Sequence, residues 1–342
     1  MLRFGQVLLV SLALGVGSLY LVTPNLFTQE IVSAIKHVDV QLFLLAPLTI
    51  LAWWFLAGYR TVLLARCTGS RLNLWQAIQT HVVGVFSAVL TPAGGGNSLG
   101  LALILMRFGV SPENAAAISV MYVVGDMAFF AWALPASLVI LKVSGMSLPI
   151  PYLSTLIFTL SGLALLGSYL LVFRFSLAIR LLKRIFNLRI FQRLRGRSQL
   201  FLQNLELASE KFAEESLSWH LVFHLISGTA RLCFYMVLNI VLLALGVTIT
   251  QSVVLALQII IHSFAFLVPT PGASGYHEAT ISYALKGELA ANLLATSVIL
   301  WRFFNHYSYF LLGPLIGGFA ILSTTKSRSE TRSFANSSKN RQ

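Results

Sequence analysis

Long apolar segments alternate with short polar segments along this chain. The hydrocarbon core of a bilayer is about 30 Å thick and is crossed by about 20 apolar residues of α-helix. Six segments meet that length and predict full membrane spans, at about 5–23, 41–58, 114–141, 152–173, 221–246 and 289–322. The last segment is long for one span, and we expect it to be tilted or bent near Gly313-Pro314.

Two further apolar segments are interrupted by proline and glycine near their middle. Residues 75–106 contain Thr91-Pro92-Ala93-Gly94-Gly95-Gly96, and residues 250–285 contain Pro269-Thr270-Pro271-Gly272-Ala273-Ser274-Gly275. A continuous helix does not run through such a stretch, because proline lacks the N–H group and glycine lowers helix propensity. Each arm has only about 10–18 residues, which is short for a span. We therefore predict two re-entrant hairpins, each entering and leaving the membrane on the same side.

The interrupted segments belong to an internal repeat. Thr-Pro, three small residues and glycine occur at 91–96 and again at 270–275, an offset of 179 residues. Downstream, the sequence at 117–120 recurs approximately at 295–298. Paired interrupted segments in two halves of a membrane protein indicate a transport site at the interface of an inverted repeat. The predicted fold is therefore all-α, a polytopic membrane helix bundle with an inverted repeat.

Composition agrees with a membrane protein. Hydrophobic residues make up 57% of the chain and charged residues 10%, whereas a soluble domain has about 25% charged residues. This excludes a soluble enzyme, a disordered protein and a secreted disulfide scaffold. The 24 Lys and Arg outnumber the 11 Asp and Glu, but they stand between apolar segments rather than in a nucleic-acid-binding pattern. Cys67 and Cys233 lie far apart and lack metal-ligand spacing, so we expect neither a metal nor another cofactor.

The basic residues orient the chain. Arg60, Arg66 and Arg71 follow the second span, and eight basic residues lie within 174–197 after the fourth. Because cytoplasmic loops carry an excess of Lys and Arg, we predict a multi-pass membrane protein with both termini in the cytoplasm. The first hairpin then enters from the cytoplasm and the second from outside.

These assignments divide the chain into a transmembrane domain and a tail. In the transmembrane domain, 1–323, the first half is 41–173 and the second half is 220–323, on either side of a cytoplasmic segment at 174–219. The basic, amphipathic first part of that segment is typical of a helix lying on anionic lipid. The polar tail at 324–342 has nothing to bury and is expected to be disordered.

The helix that leaves each turn is expected to begin near Asn97 or Tyr276. Its free N–H groups and positive dipole end would suit an anion such as a lipid phosphate. Alternatively, the glycines serve only the close packing of a tight turn. The candidate substrate-binding residues of the two turns are Thr91, Pro92, Gly94, Gly95, Gly96, Asn97, Thr270, Pro271, Gly272, Ser274, Gly275 and His277.

Four charged residues inside or beside the spans complete the candidate site. Three of them, Arg231, Arg302 and Asp126, lie within spans, and Glu278 follows the second turn. Inside a membrane each such charge is costly unless it is paired or hydrated. The arginines would hold a phosphate bidentately, or they would pair with Asp126 and Glu278 and lock the bundle. Glu278 would also stabilise the start of its helix. The sequence has no catalytic or nucleotide-binding motif, so we do not expect an enzyme.

Both turn motifs resemble signatures of a known family. The segment 90–96 followed by Arg107-Phe108-Gly109-Val110-Ser111 resembles the first signature of the flippase-like integral membrane family, which includes the lysylphosphatidylglycerol synthase transmembrane region. The segment 269–275 with Glu278 resembles the second signature, and the similarity extends over about 5–323. The resemblance implies an inner-membrane protein that moves or handles polar lipids or lipid-linked sugars without ATP.

The chain departs from that family in three places. Asn97 stands where an acid is common, and Val123 stands where an arginine often precedes the aspartate equivalent to Asp126. The soluble aminoacyl-transferase domain is absent from this sequence, so we do not expect a complete synthase.

Function can be interpreted in three ways at this stage. The first is a transporter (flippase) of a polar or anionic lipid or lipid-linked molecule, bound between the two hairpins. The second is a non-transporting subunit that presents a lipid to a glycosyltransferase or lipid-modifying enzyme docked at 174–197. A lipid-carrier glycosyltransferase ranks last, because it would need a carboxylate on a sizeable outer loop. Expected partners are anionic membrane lipids, and a second copy of the chain or a lipid-modifying enzyme, with no nucleic acid.

Overall fold

Helices form the regular secondary structure of the computed structural model, which describes residues 36–146, 151–186, 195–318 and 320, with isolated positions 9, 13, 17 and 20. The predicted first span (5–23), apart from those isolated positions, and the tail (324–342) lie outside the described residues. In chain order the helices are α1 Leu45–Cys67, α2 Leu74–Leu90, α3 Gly96–Arg107, α4 Pro112–Val143, α5 Leu153–Phe173, α6 Phe175–Phe186, α7 Arg195–Ala213, α8 Leu217–Ala244, α9 Gln251–Phe264, α10 Tyr276–Leu285, α11 Ala291–Arg302 and α12 309–318.

Four helices in the described part of the chain are long and apolar enough to cross a membrane. They cover Val40–Cys67, where a short helical turn leads into α1, together with α4, α5 and α8, and their mean hydropathy is 1.7 to 2.1. The first has 28 residues and is therefore about 42 Å long, which exceeds the hydrocarbon thickness of about 30 Å. These helices agree in position, length and apolar composition with four of the predicted spans, those at 41–58, 114–141, 152–173 and 221–246.

The last predicted span is divided in the structure. Helix α11 ends at Arg302, a π-helical turn occupies Phe303–Tyr307, and α12 follows. The chain is helical at Gly313-Pro314, and the tilt or bend expected there stays a prediction. Gly313 allows α12 to approach α2, since a Cβ at this position would overlap the ring of Phe86.

Both proline- and glycine-rich segments form a turn between two short helices. Helix α2 begins with a capping box between Asn73 and Gln76 and ends at Leu90, and α3 resumes at Gly96. Helix α9 is followed by a 3-10 turn at Ala265–Leu267, and α10 begins at Tyr276. The predicted interruptions are thus observed, while the entry of the hairpins into the membrane stays a prediction.

The two halves repeat the same order of elements and the same turn geometry. Helices α1 to α4 and helices α8 to α12 follow the same order: a long helix, a short helix, a turn, a short helix and a final long segment. In the second half the π-turn divides this final segment. In the turns, Ala93 has φ 56° and its equivalent Gly272 has 55°, while Gly94 has 67° and its equivalent Ala273 has 51°. Positive φ is uncommon for residues other than glycine. Its presence at equivalent positions therefore supports the repeat independently of the sequence match.

The amphipathic segment after α5 packs partly against the bundle. Phe175 and Ile179 of α6 are buried in one cluster with Phe212 of α7, whereas Leu181 is exposed. One face of α6 is therefore covered by protein, and contact of the exposed apolar residues with anionic lipid stays a prediction.

Candidate functional site

The two proline- and glycine-rich turns contact each other directly. Pro92 and Pro271, equivalent residues of the repeat, form an antiparallel bridge. The amide of Gly272 donates a hydrogen bond of 3.3 Å to the carbonyl of Thr91. Antiparallel pairing of equivalent residues is the relationship that a local two-fold axis produces. The tertiary fold therefore brings together two segments that are 179 residues apart in the sequence.

Several candidate residues build the turns themselves. The Thr91 hydroxyl accepts a hydrogen bond of 2.7 Å from the Gly96 amide and donates one to the Ser87 carbonyl. The Thr270 hydroxyl donates to the Ser274 carbonyl at 2.8 Å. A Cβ at Gly96 would overlap Ser87 and Thr91. For these residues the packing interpretation of the turns is supported.

A cavity of about 270 Å³ lies beside the paired turns. Trp53 of α1, His81 of α2, Tyr122 of α4 and Tyr235 of α8 contribute to its wall. The candidate residues that line it are Gly94, Asn97, Gly272, His277, Arg231 and Arg302. The other candidates lie in the turns or form ion pairs with the lining arginines, namely Thr91, Pro92, Gly95, Gly96, Thr270, Pro271, Ser274, Gly275, Glu278 and Asp126.

Asp126 forms ion pairs with two arginines on two other helices. Its Oδ1 is 2.9 Å from Nη1 of Arg60, and its Oδ2 contacts Nη2 of Arg231. The Arg60 guanidinium also lies 3.6 Å from the centre of the Tyr122 ring, a cation–π geometry. The charge of Asp126 is therefore balanced although the position of the usual local arginine holds Val123.

Arg60 belongs to the buried ion-pair cluster, a role that its position in the sequence does not indicate. We expected this residue among the cytoplasmic basic residues after the second span, but α1 continues to Cys67 and Arg60 is only 2% exposed. The buried carboxylate of Asp126 and the ring of Tyr122 stabilise its charge inside the bundle. The unpartnered Asp126 was the one signal in the sequence that pointed to such a residue.

Glu278 and Arg302 form a second buried ion pair. Nε of Arg302 is 2.7 Å from Oε1 of Glu278, and both side chains are buried. Glu278 Oε2 also accepts a hydrogen bond of 2.9 Å from the Gly275 amide at the start of α10. Glu278 thus acts both as the partner of Arg302 and as a cap of its own helix, in agreement with two of the interpretations made from the sequence.

The π-turn places two polar residues at the cavity. Asn305 and His306 are both buried and line it, and Nε2 of His306 is 3.3 Å from the Ser274 hydroxyl of the second turn. Single π-turns in helices occur frequently at functional sites. Here the turn follows Arg302 directly, so α11 contributes Arg302 and the π-turn contributes Asn305 and His306 to one wall.

Several polar atoms at the cavity have no hydrogen-bond partner among the described residues. They are Nε2 of His81, Oη of Tyr235, Nδ1 of His277 and Oδ1 of Asn305. The rings of His262 and His277 lie 4.2 Å apart in the same wall. Buried polar groups are nearly always paired, so unpaired ones around a cavity indicate a site for water or a polar ligand. The described residues contain no cluster of three or more His, Cys, Asp or Glu placed for a metal ion.

The charges at the cavity do not cancel. Three guanidinium groups (Arg60, Arg231 and Arg302) face two carboxylates (Asp126 and Glu278) within these ion pairs. Arg231 has the most exposed side chain of the three arginines, at 21%, and it lines the cavity. The arrangement can therefore attract an anion and hold it by a guanidinium group and neutral hydrogen-bond donors.

Comparison with known proteins agrees with this architecture. A UPF0104 membrane protein of Archaeoglobus fulgidus is 24% identical to the chain over 299 residues, which is 85% of this chain and 90% of the relative. The sequence profile described as lysylphosphatidylglycerol synthase TM region matches residues 8–313. The match covers the paired turns, both ion-pair clusters and the four long apolar helices. The chain is therefore a multi-pass membrane protein that belongs to the family of the lysylphosphatidylglycerol synthase TM region.

Proposed function

We propose that this protein is a flippase, which moves a polar or anionic lipid, or a lipid-linked molecule, between the leaflets of the bacterial inner membrane. The observation that carries the proposal is the cationic cavity beside the two paired turns, with Arg231 in its wall. Non-helical backbone at membrane depth is tolerated only where protein covers it or where it lines a wet cavity. The two turns pair with each other next to a cavity that attracts anions. This arrangement fits a transport site better than a purely structural role of the turns.

The size of the cavity favours a headgroup as its occupant. Its volume of about 270 Å³ is just below the range of roughly 300–1,000 Å³ that is usual for drug-sized ligands, so a whole lipid would not fit. Phe266 lines the cavity and is 54% exposed, and the adjacent Leu267 is 66% exposed. We place the acyl chains outside the protein along these residues, with the headgroup inside.

Transport would follow from movement of one repeat against the other. In an inverted repeat, the first hairpin enters from the cytoplasm and the second from outside, and rocking of the halves opens the central site to each side in turn. The Thr91–Gly272 hydrogen bond lies where the two halves meet. We expect this contact to break and form again in each cycle, with both termini remaining in the cytoplasm.

The test measures movement of a labelled lipid in proteoliposomes. Purified protein is reconstituted in phosphatidylcholine vesicles that contain a trace of fluorescent phosphatidylglycerol, and a reducing agent added outside bleaches the label in the outer leaflet. We expect the protein to accelerate bleaching of the inner pool. Arg231→Gln should reduce this rate about tenfold or more, while Arg66→Gln, which removes an exposed arginine of α1, should leave it unchanged.

A negative result in this assay has a defined meaning. The proposal is overturned if bleaching does not exceed that of protein-free vesicles for phosphatidylglycerol, phosphatidylethanolamine and a polyprenyl phosphate, each labelled in the same way. Co-purification of a stoichiometric glycosyltransferase or lipid-modifying enzyme from native membranes would then favour the lipid-presenting subunit. The exposed Leu181 on α6 would be a contact for such an enzyme.

A further inference from the structure

The charges around the cavity restrict the headgroup beyond what lipid transport alone requires. We infer that the cavity selects headgroups with a single net negative charge, as in a phosphodiester lipid, and that Asp126 is the residue that sets this selectivity. The inference rests on the proposed function and names the substrate class of the same site.

Among the described residues, the ion pairs around the cavity carry a net excess of one positive charge. With the histidines neutral, Arg60, Arg231 and Arg302 exceed Asp126 and Glu278 by one charge. An unpaired charge inside a membrane protein is unfavourable, and opposite charges attract strongly where the dielectric constant is low. A bound group with one negative charge makes the site neutral.

Arg231 is the cation that is placed to meet this group. Arg302 is buried, with its Nε atom occupied by Glu278, and Arg60 is buried between Asp126 and the Tyr122 ring. A guanidinium group has five N–H donors, and the contact of Arg231 with Asp126 involves only its Nη2 atom. Arg231 can therefore keep its contact with Asp126 and still donate to an oxygen atom in the cavity.

Neutral hydrogen-bond donors complete the site without changing its charge. The cavity is lined by His277, His81 and Tyr235. Each of them has a buried ring nitrogen or hydroxyl that finds no partner in the part of the chain that the structure describes. The two non-bridging oxygens of a phosphodiester accept several hydrogen bonds, and such bonds to a charged acceptor are stronger than those between neutral groups. The unpaired atoms would thus be satisfied by the same group that balances the charge.

Other headgroups leave a charge unbalanced. A phosphomonoester in its dianionic form brings one negative charge too many. A zwitterionic headgroup keeps the excess positive charge and adds an ammonium group close to Arg231. Because partners that leave an uncompensated buried charge are rejected, selectivity follows from the charge count.

Asp126 determines this count, since it lies between Arg60 and Arg231 and cancels one of them. Asp126→Asn raises the excess from one positive charge to two and should shift the preference towards a dianion. Adding Arg60→Gln to Asp126→Asn returns the excess to one and should restore the original preference. A merely structural role of Asp126 does not predict recovery in the double variant.

The test measures binding of short-chain phosphatidylglycerol, phosphatidylethanolamine and phosphatidic acid to purified protein in neutral detergent, by native mass spectrometry. A pH of about 9 is used, where the histidines are neutral and the phosphomonoester of phosphatidic acid is largely dianionic. We expect phosphatidylglycerol to bind about tenfold more tightly than the other two lipids. Asp126→Asn should reverse the order of phosphatidylglycerol and phosphatidic acid, and the double variant should return it.

Arg231→Gln provides a second measurement if Asp126→Asn does not fold. It removes the excess charge, so the preference for phosphatidylglycerol over phosphatidylethanolamine should disappear, while Arg66→Gln keeps it. Equal binding of the three lipids to the wild-type protein, or an unchanged order in folded Asp126→Asn, overturns the charge selectivity and leaves the headgroup site standing. If none of the three lipids binds, the headgroup site itself is overturned, and the proposed function with it.

Discussion

The amide of Gly272 donates a hydrogen bond to the carbonyl of Thr91, and this contact joins the two halves of the chain at equivalent turns. Gly272 is well suited to the position, since its φ of 55° lies in the left-handed region. A Cβ would also overlap the ring of His306 and lie 3.3 Å from the Cα of Val89. Backbone conformation and close approach therefore both favour glycine here.

We predict that Gly272→Ala destabilises the protein more than Gly→Ala at a position with similar backbone strain but with space for the added Cβ. Gly69 offers the matched control, because its φ is 75° and nothing lies within 4 Å of an added Cβ. Gly69→Ala should cost about 1 kcal/mol from backbone strain alone, and Gly272→Ala roughly 1–3 kcal/mol more from overpacking. Thermal unfolding in detergent compares the two, and equal midpoints would contradict the close contact with His306.

A second prediction concerns the ion pair of Arg302 and Glu278. Removing one partner leaves a buried charge unpaired, at a cost of about 3–5 kcal/mol, so Glu278→Gln and Arg302→Gln should each lower the unfolding temperature markedly. The double variant leaves no unpaired charge at this pair and should be more stable than the sum of the single effects implies. Strict additivity of the three unfolding temperatures would show that the pair does not couple α10 to α11.

The elements of the fold were largely predictable from local patterns. The length of an apolar segment and the positions of proline and glycine depend only on residues that are close together in the sequence. This applies to the four long helices and to the turns around Pro92 and Pro271. The π-turn at Phe303–Tyr307 carries no such local pattern. It coincides with tertiary contacts, since Asn305 and His306 face the cavity.

The assembly of the site was predictable only in part. Asp126, Arg231, Glu278 and Arg302 stood out because a charge in an apolar segment needs a partner, and the structure pairs them. Arg60 did not stand out, since it follows the apolar part of its segment and resembles a loop residue. Its partner Asp126 is 66 residues away, and only the packing of α1 against α4 and α8 brings the three residues together.

A third prediction tests the depth of the second turn in the membrane. Leu267 is 66% exposed, in the 3-10 turn that precedes the proline- and glycine-rich segment. If this hairpin is re-entrant, a spin label at Leu267→Cys should collide more often with oxygen than with a water-soluble nickel complex. Cys67 and Cys233 are replaced by serine for this measurement, and a label at the exposed Glu288 should show the opposite preference. Equal access of the nickel complex to both labels would place the turn in water and contradict the hairpin.

The last prediction uses the position where this chain departs from its family. Asn97 lines the cavity at the first turn, where relatives are expected to carry an acid. Asn97→Asp adds a negative charge that cancels the excess positive charge around Arg231, and it repels an anionic headgroup at short range. Transport of labelled phosphatidylglycerol in vesicles should therefore fall about tenfold in Asn97→Asp. Asn97→Ser, which is neutral at the same position, should retain most of the rate. If both variants slow transport equally, Asn97 acts through its shape or hydrogen bonds, and the electrostatic account of this wall of the cavity fails.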